Sequence, residues 1–444
     1  MADDAPQFTI VGAGLAGTLM ACYLGKTGHR VDLYERRPNP RGLEQVAGRS
    51  INLAISVRGI QALREVGLAE EVLRAAIPMR GRMMHSLAGE LTFQRYGKDD
   101  SESINSISRA GLNIALVNAA ARHPSVRLFF GRRCTAFDPQ TGAIDLVDEK
   151  SHEATKVASR ILIGADGAYS AVRLQMQTLG QFNFRQDYLD YGYKELHILP
   201  GPNGLHQMER HALHIWPRHS FMMIALPNLN GSFTCTLFWP LEGPNSFAEL
   251  KTDADVRRYF EEQFPDAVPL MPTLLEDYRQ NPVGSLVTMR CHPWHVRDRA
   301  VLLGDAAHAV VPFLGQGMNA AFEDCTVLSQ CLAEDAPDWE RAFRDFEARR
   351  KENVDTLADL CLENFVEMRD KVGSRWFLLR KRIDNTLYKL FPRSYLPLYT
   401  MISFTTIPYA AALRRAMRQN RVVLAILGGV LGLIVLALIA WWAR

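Results

Sequence analysis

Along the chain, short all-apolar runs that end in glycine or an acid alternate with longer helix-compatible stretches, a rhythm that predicts buried strands joined by helices. The first such unit is the clearest. Phe8 to Val11 is a β-prone run, Gly12-Ala13-Gly14-Leu15-Ala16-Gly17 follows, and Thr18 to Lys26 suits a helix that Gly28 breaks. Val31 to Tyr34 is a second expected strand, ending in Glu35. Strand, GxGxxG, helix, strand and acid within about 30 residues is the pattern of a dinucleotide-binding unit. The glycines let the backbone turn tightly and approach a pyrophosphate at a helix N-terminus, where free N–H groups favour anions. Glu35, 23 positions after Gly12, is placed to accept hydrogen bonds from an adenosine ribose.

Two later runs repeat the theme. Arg160 to Gly167 (RILIGADG) is a hydrophobic strand ending in Asp166 and Gly167, and Arg299 to Asp305 (RAVLLGD) is another that ends in an acid. Gly315, Gly317 and Ala320 then give a GxGxxA, but it follows Pro312 rather than a strand, so it does not predict a second nucleotide fold. It predicts a turn feeding a helix near Met318, whose N-terminus can face an electron-rich flavin ring, with Asp305 on the ribityl chain. Leu213 to Phe238 alternates and is broken by Pro227, Asn228 and Gly231, as antiparallel strands joined by turns would be. Leu213, Ile224, Leu226 and Phe238 would present an apolar wall to an aromatic ring, with Phe313 nearby; structural packing is an equal reading of these residues.

Composition narrows the chemistry. With 444 residues, 48% hydrophobic and 22% charged, the chain is neither disordered, collagenous nor a coiled coil, and has room for two or three domains. Seven cysteines, an odd number without a CxxC pair, argue against a disulfide framework or zinc site and for reduced thiols in a cytosolic setting. No His, Cys or carboxylate cluster has metal-ligand spacing and no nucleophile has an evident base, so redox or oxygen chemistry would come from an organic cofactor. The net charge of +3 gives no reason to expect nucleic acid as a partner, but it is uneven: after Asp384 there are seven bases and no acid. Arg414 to Arg421 abuts an uncharged run of 22 residues, Val422 to Ala443, long enough to span a roughly 30 Å hydrocarbon layer. This pattern predicts a single-pass C-terminal membrane anchor with the catalytic body in the cytosol, Trp441 and Trp442 at the far interface. Gly428 and Gly432 form a GxxxG that carries no claim of a dimer.

GAGLAG with Glu35, the internal GADG, and the late GD followed by Pro-Phe-x-Gly-Gln-Gly resemble the FAD-dependent aromatic hydroxylases. GRSINLA (Gly48 to Ala54), MRGRMMHS (Met79 to Ser86), ALHIWPR (Ala212 to Arg218), ENFVEMRDKV (Glu363 to Val372) and PLYTM (Pro397 to Met401) narrow the resemblance to the kynurenine 3-monooxygenase family, over residues 8 to 407. The basic stretch and apolar run resemble its membrane-anchored members. The resemblance implies an α/β fold: a Rossmann-like FAD-binding domain, an inserted antiparallel-sheet substrate domain, C-terminal helices and one transmembrane helix. FAD-binding parts are expected at 1–75, 99–178 and 285–355, substrate-domain parts at 76–98 and 179–284, a helical region completing the site at 356–412, a basic juxtamembrane segment at 413–421 and the anchor at 422–443. The membrane would be the mitochondrial outer membrane in a eukaryote or the inner membrane in a bacterium.

The resemblance also implies chemistry. NADPH reduces FAD, oxygen adds to give a flavin hydroperoxide, and one oxygen passes to ring position 3 of L-kynurenine, on the route of tryptophan degradation towards quinolinate and NAD. Carried over motif by motif, the substrate's amino-acid head falls to Arg82, Tyr96, Asn364 and Tyr399, with Glu367 supporting. The FAD contacts fall to Gly12, Gly14, Ala16, Gly17, Tyr34, Glu35, Arg36, Arg37, Ala54, Arg109, Cys134, Tyr169, Asp305, Met318 and Asn319. Phe313, Gly315, Gln316 and Gly317 line the flavin loop, no side chain is assigned as an acid or base, and His308 is given a structural or flavin-adjacent role. Leu314 and Phe365 depart from the family, which often has Phe or His and Tyr there. Two rival readings stay open: a flavin hydroxylase of a lipophilic quinone precursor, and a membrane-tethered FAD-binding scaffold without turnover.

Overall fold

The computed structural model describes residues 7–42, 52–100, 102–367, 383–384, 386–392 and 394–442. Gly48 to Ile51, Met368 to Val372, Arg393, Ala443 and Arg444, used in the motifs and charge pattern above, lie outside them.

Continuous apolar runs can sit only where both faces of a sheet are covered. Phe8–Val11, Val31–Glu35, Ile161–Gly164 and Ala300–Leu302 are buried at every position. They lie side by side in a six-stranded sheet, ordered His295–Val296, Ala300–Leu302, Ile161–Gly164, Phe8–Val11, Val31–Glu35, Val126–Phe130, parallel except for the first pair. Helices Leu15–Lys26, Arg109–Ala121 and Gly317–Asp335 cover it, the first packed against both others.

A seven-stranded sheet runs in the order Gly284–His292, Asn183–Ile198, Phe233–Pro240, Met222–Pro227, Ala212–Pro217, Gly81–His85, Leu91–Arg95. Only the Ala212–Pro217 and Gly81–His85 pair is parallel. Alternation along these strands separates two faces. Trp216, Met223, Ala225, Phe233, Cys235, Leu237 and Trp239 form a core with Phe260 and Phe264 of the covering segment. Leu213, Ile215, Met222, Ile224, Leu226 and Phe238 point the other way. Small sheets Asn52–Ile55/Ile104–Ser108/Ile77–Met79 and Arg132–Phe137/Ala143–Asp148/Ala154–Ala158 complete the strands among the described residues.

All seven cysteines are free and buried. The long helix Trp339–Val366 packs on Gly317–Asp335 and on the final helix, Tyr409–Trp442. The membrane expectation is corrected here. The apolar run is the continuation of a helix whose first turns are docked, with Tyr409, Ala410, Ala412 and Ala416 buried and Arg414 paired with Glu352. Among the described residues no helix is long and apolar enough to cross a membrane. The transmembrane helix, the juxtamembrane role of 413–421 and the anchored localisation with a cytosolic body are withdrawn on that finding.

Candidate active site

The nucleotide cradle is built from backbone that only glycine permits. Gly12 has φ +103°, and a Cβ there would stand 2.4 Å from the Ala165 carbonyl oxygen; one on Gly17 would stand 2.0 Å from that of Gly12. A Cβ on Gly14 would meet nothing within 4 Å, so the loop is closed against the protein on two sides and open where a phosphate would approach. Glu35 is buried and accepts from the Ala13 N–H at 2.8 Å and from the Arg37 N–H and Nε at 2.9 and 2.8 Å. Burial works against its charge, but these bonds outweigh it and hold the carboxyl below its ordinary range. Arg37 Nη2 adds a fourth, longer bond at 3.3 Å, so a ribose hydroxyl would take the place of that weakest donor.

Beyond this loop opens a cleft of about 720 Å³, lined on one side by Ala13, Gly14, Glu35, Arg37 and Arg109 and on the other by Tyr193, Glu195 and Gln280 to Pro282. Two carboxyls at the cradle lack complete partners. Asp166 abuts Gly12 and accepts at Oδ2 from the Ala171 and Val172 N–H groups, while its buried Oδ1 has no partner. Asp305, after the positive-φ turn at Gly304, is reached by solvent, and its carboxyl makes no hydrogen bond among the described residues. Crowding by protein pushes it above its ordinary range, against the pull of Arg109 and His308. An orphaned buried oxygen and an open phosphate face fit a bound FAD.

The sequence-predicted cofactor residues divide by what their side chains do. Arg37 and Arg109 line the cleft. Tyr34 is buried and stacks on Phe129 at 4.8 Å, so its side chain is turned to the core and only its backbone borders the cradle, accepting from the Gly12 N–H at 2.8 Å. Asn319 is fully buried: its Nδ2 donates to the Ala54 and Gly315 carbonyls at 2.9 Å each and its Oδ1 accepts from the Ser56 N–H, stapling strand Asn52–Ile55 to the flavin loop. The Cys134 thiol, pushed up to about 12 by burial, is not poised to react. Arg36 is exposed and Tyr169 is 72% exposed. Ala16 and Met318 sit in the first turns of their helices. His308 is buried with Nε2 2.6 Å from Asp324, which also takes Arg350 Nε at 2.7 Å, a structural post behind the Gly304 turn.

The substrate-side predictions converge on one locus. Leu213, Ile224 and Tyr399 pack both against the cluster containing Phe238, Phe313 and Phe365 and against that of Leu226, Met79, Ile104, Tyr96 and Phe404. Arg82 extends from strand Gly81–His85, its guanidinium 5.6 Å from the Tyr96 ring and 5.0 Å from the Tyr399 ring, and these rings stack at 5.6 Å. Burial opposes its charge, but the Tyr399 and Tyr96 hydroxyls hold it up. Among the described residues Arg82 has no carboxylate partner, and its buried Nε has no hydrogen bond. Burial also pushes the Tyr96 phenol up, so it stays a donor. Asn364 donates to the Phe313 carbonyl at 2.8 Å, joining the long helix to the flavin loop, and Phe365 stacks on Phe313 at 4.4 Å. Glu367 caps that helix. Sequence reasoning missed Phe404, which flanks both tyrosines and lies five residues after Tyr399 on one short helix. It also missed Asn113, one helical turn after Arg109, which braces the Ala13 carbonyl at 3.0 Å.

This geometry has counterparts. A family model described as "FAD binding domain" matches residues 6–344. The chain is 51% identical over 404 residues to a kynurenine 3-monooxygenase of Myxococcus xanthus, covering 91% of this chain and 87% of the relative. It is 43% identical over 426 residues to one of Dictyostelium discoideum, covering 93% and 91%. Among solved structures, 2-methyl-3-hydroxypyridine-5-carboxylic acid oxygenase superposes with TM-score 0.66 at 21% identity, over 88% of this chain and 99% of that one. PqsL of Pseudomonas aeruginosa does so with TM-score 0.65 at 20%, over 83% and 97%. The structural likenesses carry the fold alone; with the family match and the sequence identities, the chain belongs to the kynurenine 3-monooxygenase family of FAD-binding proteins.

Proposed function

We propose that this protein hydroxylates L-kynurenine to 3-hydroxy-L-kynurenine with FAD, NADPH and O2, a step of tryptophan degradation towards quinolinate and NAD. The observation that carries the reading is Arg82: a half-buried guanidinium whose Nε is sealed from solvent, without a carboxylate partner among the described residues, flanked by two tyrosines, at the edge of an apolar wall. Such a site asks for a small molecule with an anionic head and an aromatic body. Its planar fork offers a carboxylate two parallel hydrogen bonds, with Tyr96 and Tyr399 as further donors. Leu213, Ile224, Leu226, Phe238 and Phe313 would hold the ring and exclude water from it.

FAD, when bound, supplies the two-electron reduction by NADPH and the activation of oxygen. Gly12, Gly14, Gly17, Glu35, Arg37, Arg109 and Asp305 would hold it, with the loop Phe313 to Gly317 and the backbone at Met318 on the ring side. The separate six- and seven-stranded sheets support a division into FAD-binding and substrate parts. A lipophilic substrate is disfavoured, because it would leave Arg82 desolvated and unpaired.

The test is NADPH oxidation by the purified FAD protein with and without L-kynurenine, with product identified. Strong stimulation and 3-hydroxykynurenine are expected. No stimulation by any aromatic amino acid would sink the reading in favour of a scaffold.

A further inference from the structure

The flavin loop is tied to the last helix of the chain. Gln316 is 1% exposed, between Gly315 at φ +63° and helix Gly317–Asp335. Its Oε1 accepts from the Tyr409 hydroxyl at 3.2 Å and lies 3.4 Å from the Ser56 hydroxyl. Tyr409 opens the final helix and is fully buried, with the Arg58 guanidinium 4.1 Å from its ring centre. Arg58 is itself fixed, donating to Glu323 at 2.7 Å and to the Ile407 carbonyl. Glu323 binds Arg350 at 2.5 Å, and Arg350 holds Asp324, which accepts from the Gly304 N–H at 3.3 Å. One connected set of buried and half-buried polar groups thus runs from Tyr409 to both turns that border the flavin site, and such a network favours one discrete arrangement. Burial pushes the Tyr409 phenol up, so its hydroxyl remains available to donate.

We propose that Tyr409 is a positioning residue: its hydroxyl fixes the Gln316 side chain and through it the loop Pro312 to Gly317, so docking of the final helix sets the loop against flavin and substrate. The part of this that concerns turnover rests on the kynurenine reading above. Tyr409→Phe keeps the ring under Arg58 and removes only the hydroxyl.

Amide hydrogen exchange in 312–318 of the apoprotein is expected to rise about fivefold, the worth of one net hydrogen bond, with the melting temperature lowered by no more than about 3 °C. In the FAD protein, hydroxylated product per NADPH oxidised is expected to fall by about the same factor, the balance appearing as hydrogen peroxide. Gln316→Leu, which keeps size and loses polarity, should produce the same change in loop exchange, and adding Tyr409→Phe to it should change nothing further. Wild-type exchange in 312–318 of either single variant, or additive effects in the double variant, overturns the proposal. Should Tyr409→Phe lower the melting temperature by more than that, Gln316→Leu alone decides it. Wild-type protein that fails to hydroxylate L-kynurenine sinks the substrate reading only, because the exchange measurement needs no substrate.

Discussion

At the scale of single residues, the two first glycines of the cradle separate folding from binding. A methyl group on Gly12 would collide with the Ala165 carbonyl at a φ that side chains rarely adopt, whereas one on Gly14 enters open space at φ −69°. Gly12→Ala is therefore expected to destabilise the apoprotein strongly. Gly14→Ala should cost at most about 1 kcal/mol at a helix N-cap, yet weaken FAD binding. Melting of the two apoproteins beside FAD titrations checks this; equal melting temperatures would refute it. Arg82 gives the matching prediction on the substrate side. Removing one member of a buried charged contact costs about 2–5 kcal/mol, so Arg82→Ala should reduce kcat/KM for L-kynurenine by about 100-fold while FAD stays bound. Arg82→Lys should recover only part, because a point charge replaces a fork. Unchanged kcat/KM in Arg82→Ala would remove Arg82 from the site.

At the scale of elements, a pH response is expected where strand Asn183–Ile198 meets helix Leu274–Gln280. His197 Nδ1 lies 3.1 Å from Asp277, and Nε2 lies 3.6 Å from Glu195, two residues back on the same strand face. Burial lowers the imidazole's pKa, but the Asp277 hydrogen bond and the charge of both carboxylates outweigh it and bring it to about 9 from an ordinary 6.5. Because the folded value is the higher, the stabilisation is fully present below pH 6.5 and is lost as pH rises through 9. At 1.36 kcal/mol per unit it amounts to at most about 3 kcal/mol. Wild-type stability to urea should decline across that window, and His197→Gln should flatten the decline; parallel curves would count against the pair. The same strands mark what the sequence made legible. Period-two alternation placed Leu213, Ile224, Leu226 and Phe238 on one wall, because a half-buried strand writes its faces directly into its residues. It could not place Phe404 or the Asn319 staple, which depend on segments hundreds of positions apart meeting in space.

At the scale of the whole molecule, local pattern was most misleading at the C-terminus. An apolar run reads alike whether it continues a docked helix or stands apart, and only the packing of Tyr409 to Ala416 on the body shows which part belongs to the core. That packing predicts where the chain can be cut. Among the described side chains from Val422 onward the large apolar ones are mostly exposed, Leu424 at 68% and Trp442 at 88%, and none belongs to a core cluster. Truncation before Val422 should therefore leave melting temperature and FAD content unchanged. Truncation before Tyr409 removes Ala412 and Ala416 from beneath Met401 on the helix that carries Tyr399, and the Gln419 amide that holds the Leu396 carbonyl at 2.8 Å. Loss of the Tyr409 ring alone is worth about 3–5 kcal/mol. The shorter protein should melt lower and, where it still binds FAD, show a raised KM for L-kynurenine, since Tyr399 flanks Arg82. Identical melting and KM for the two truncations would mean that the first turns of the final helix contribute nothing to the fold or the site.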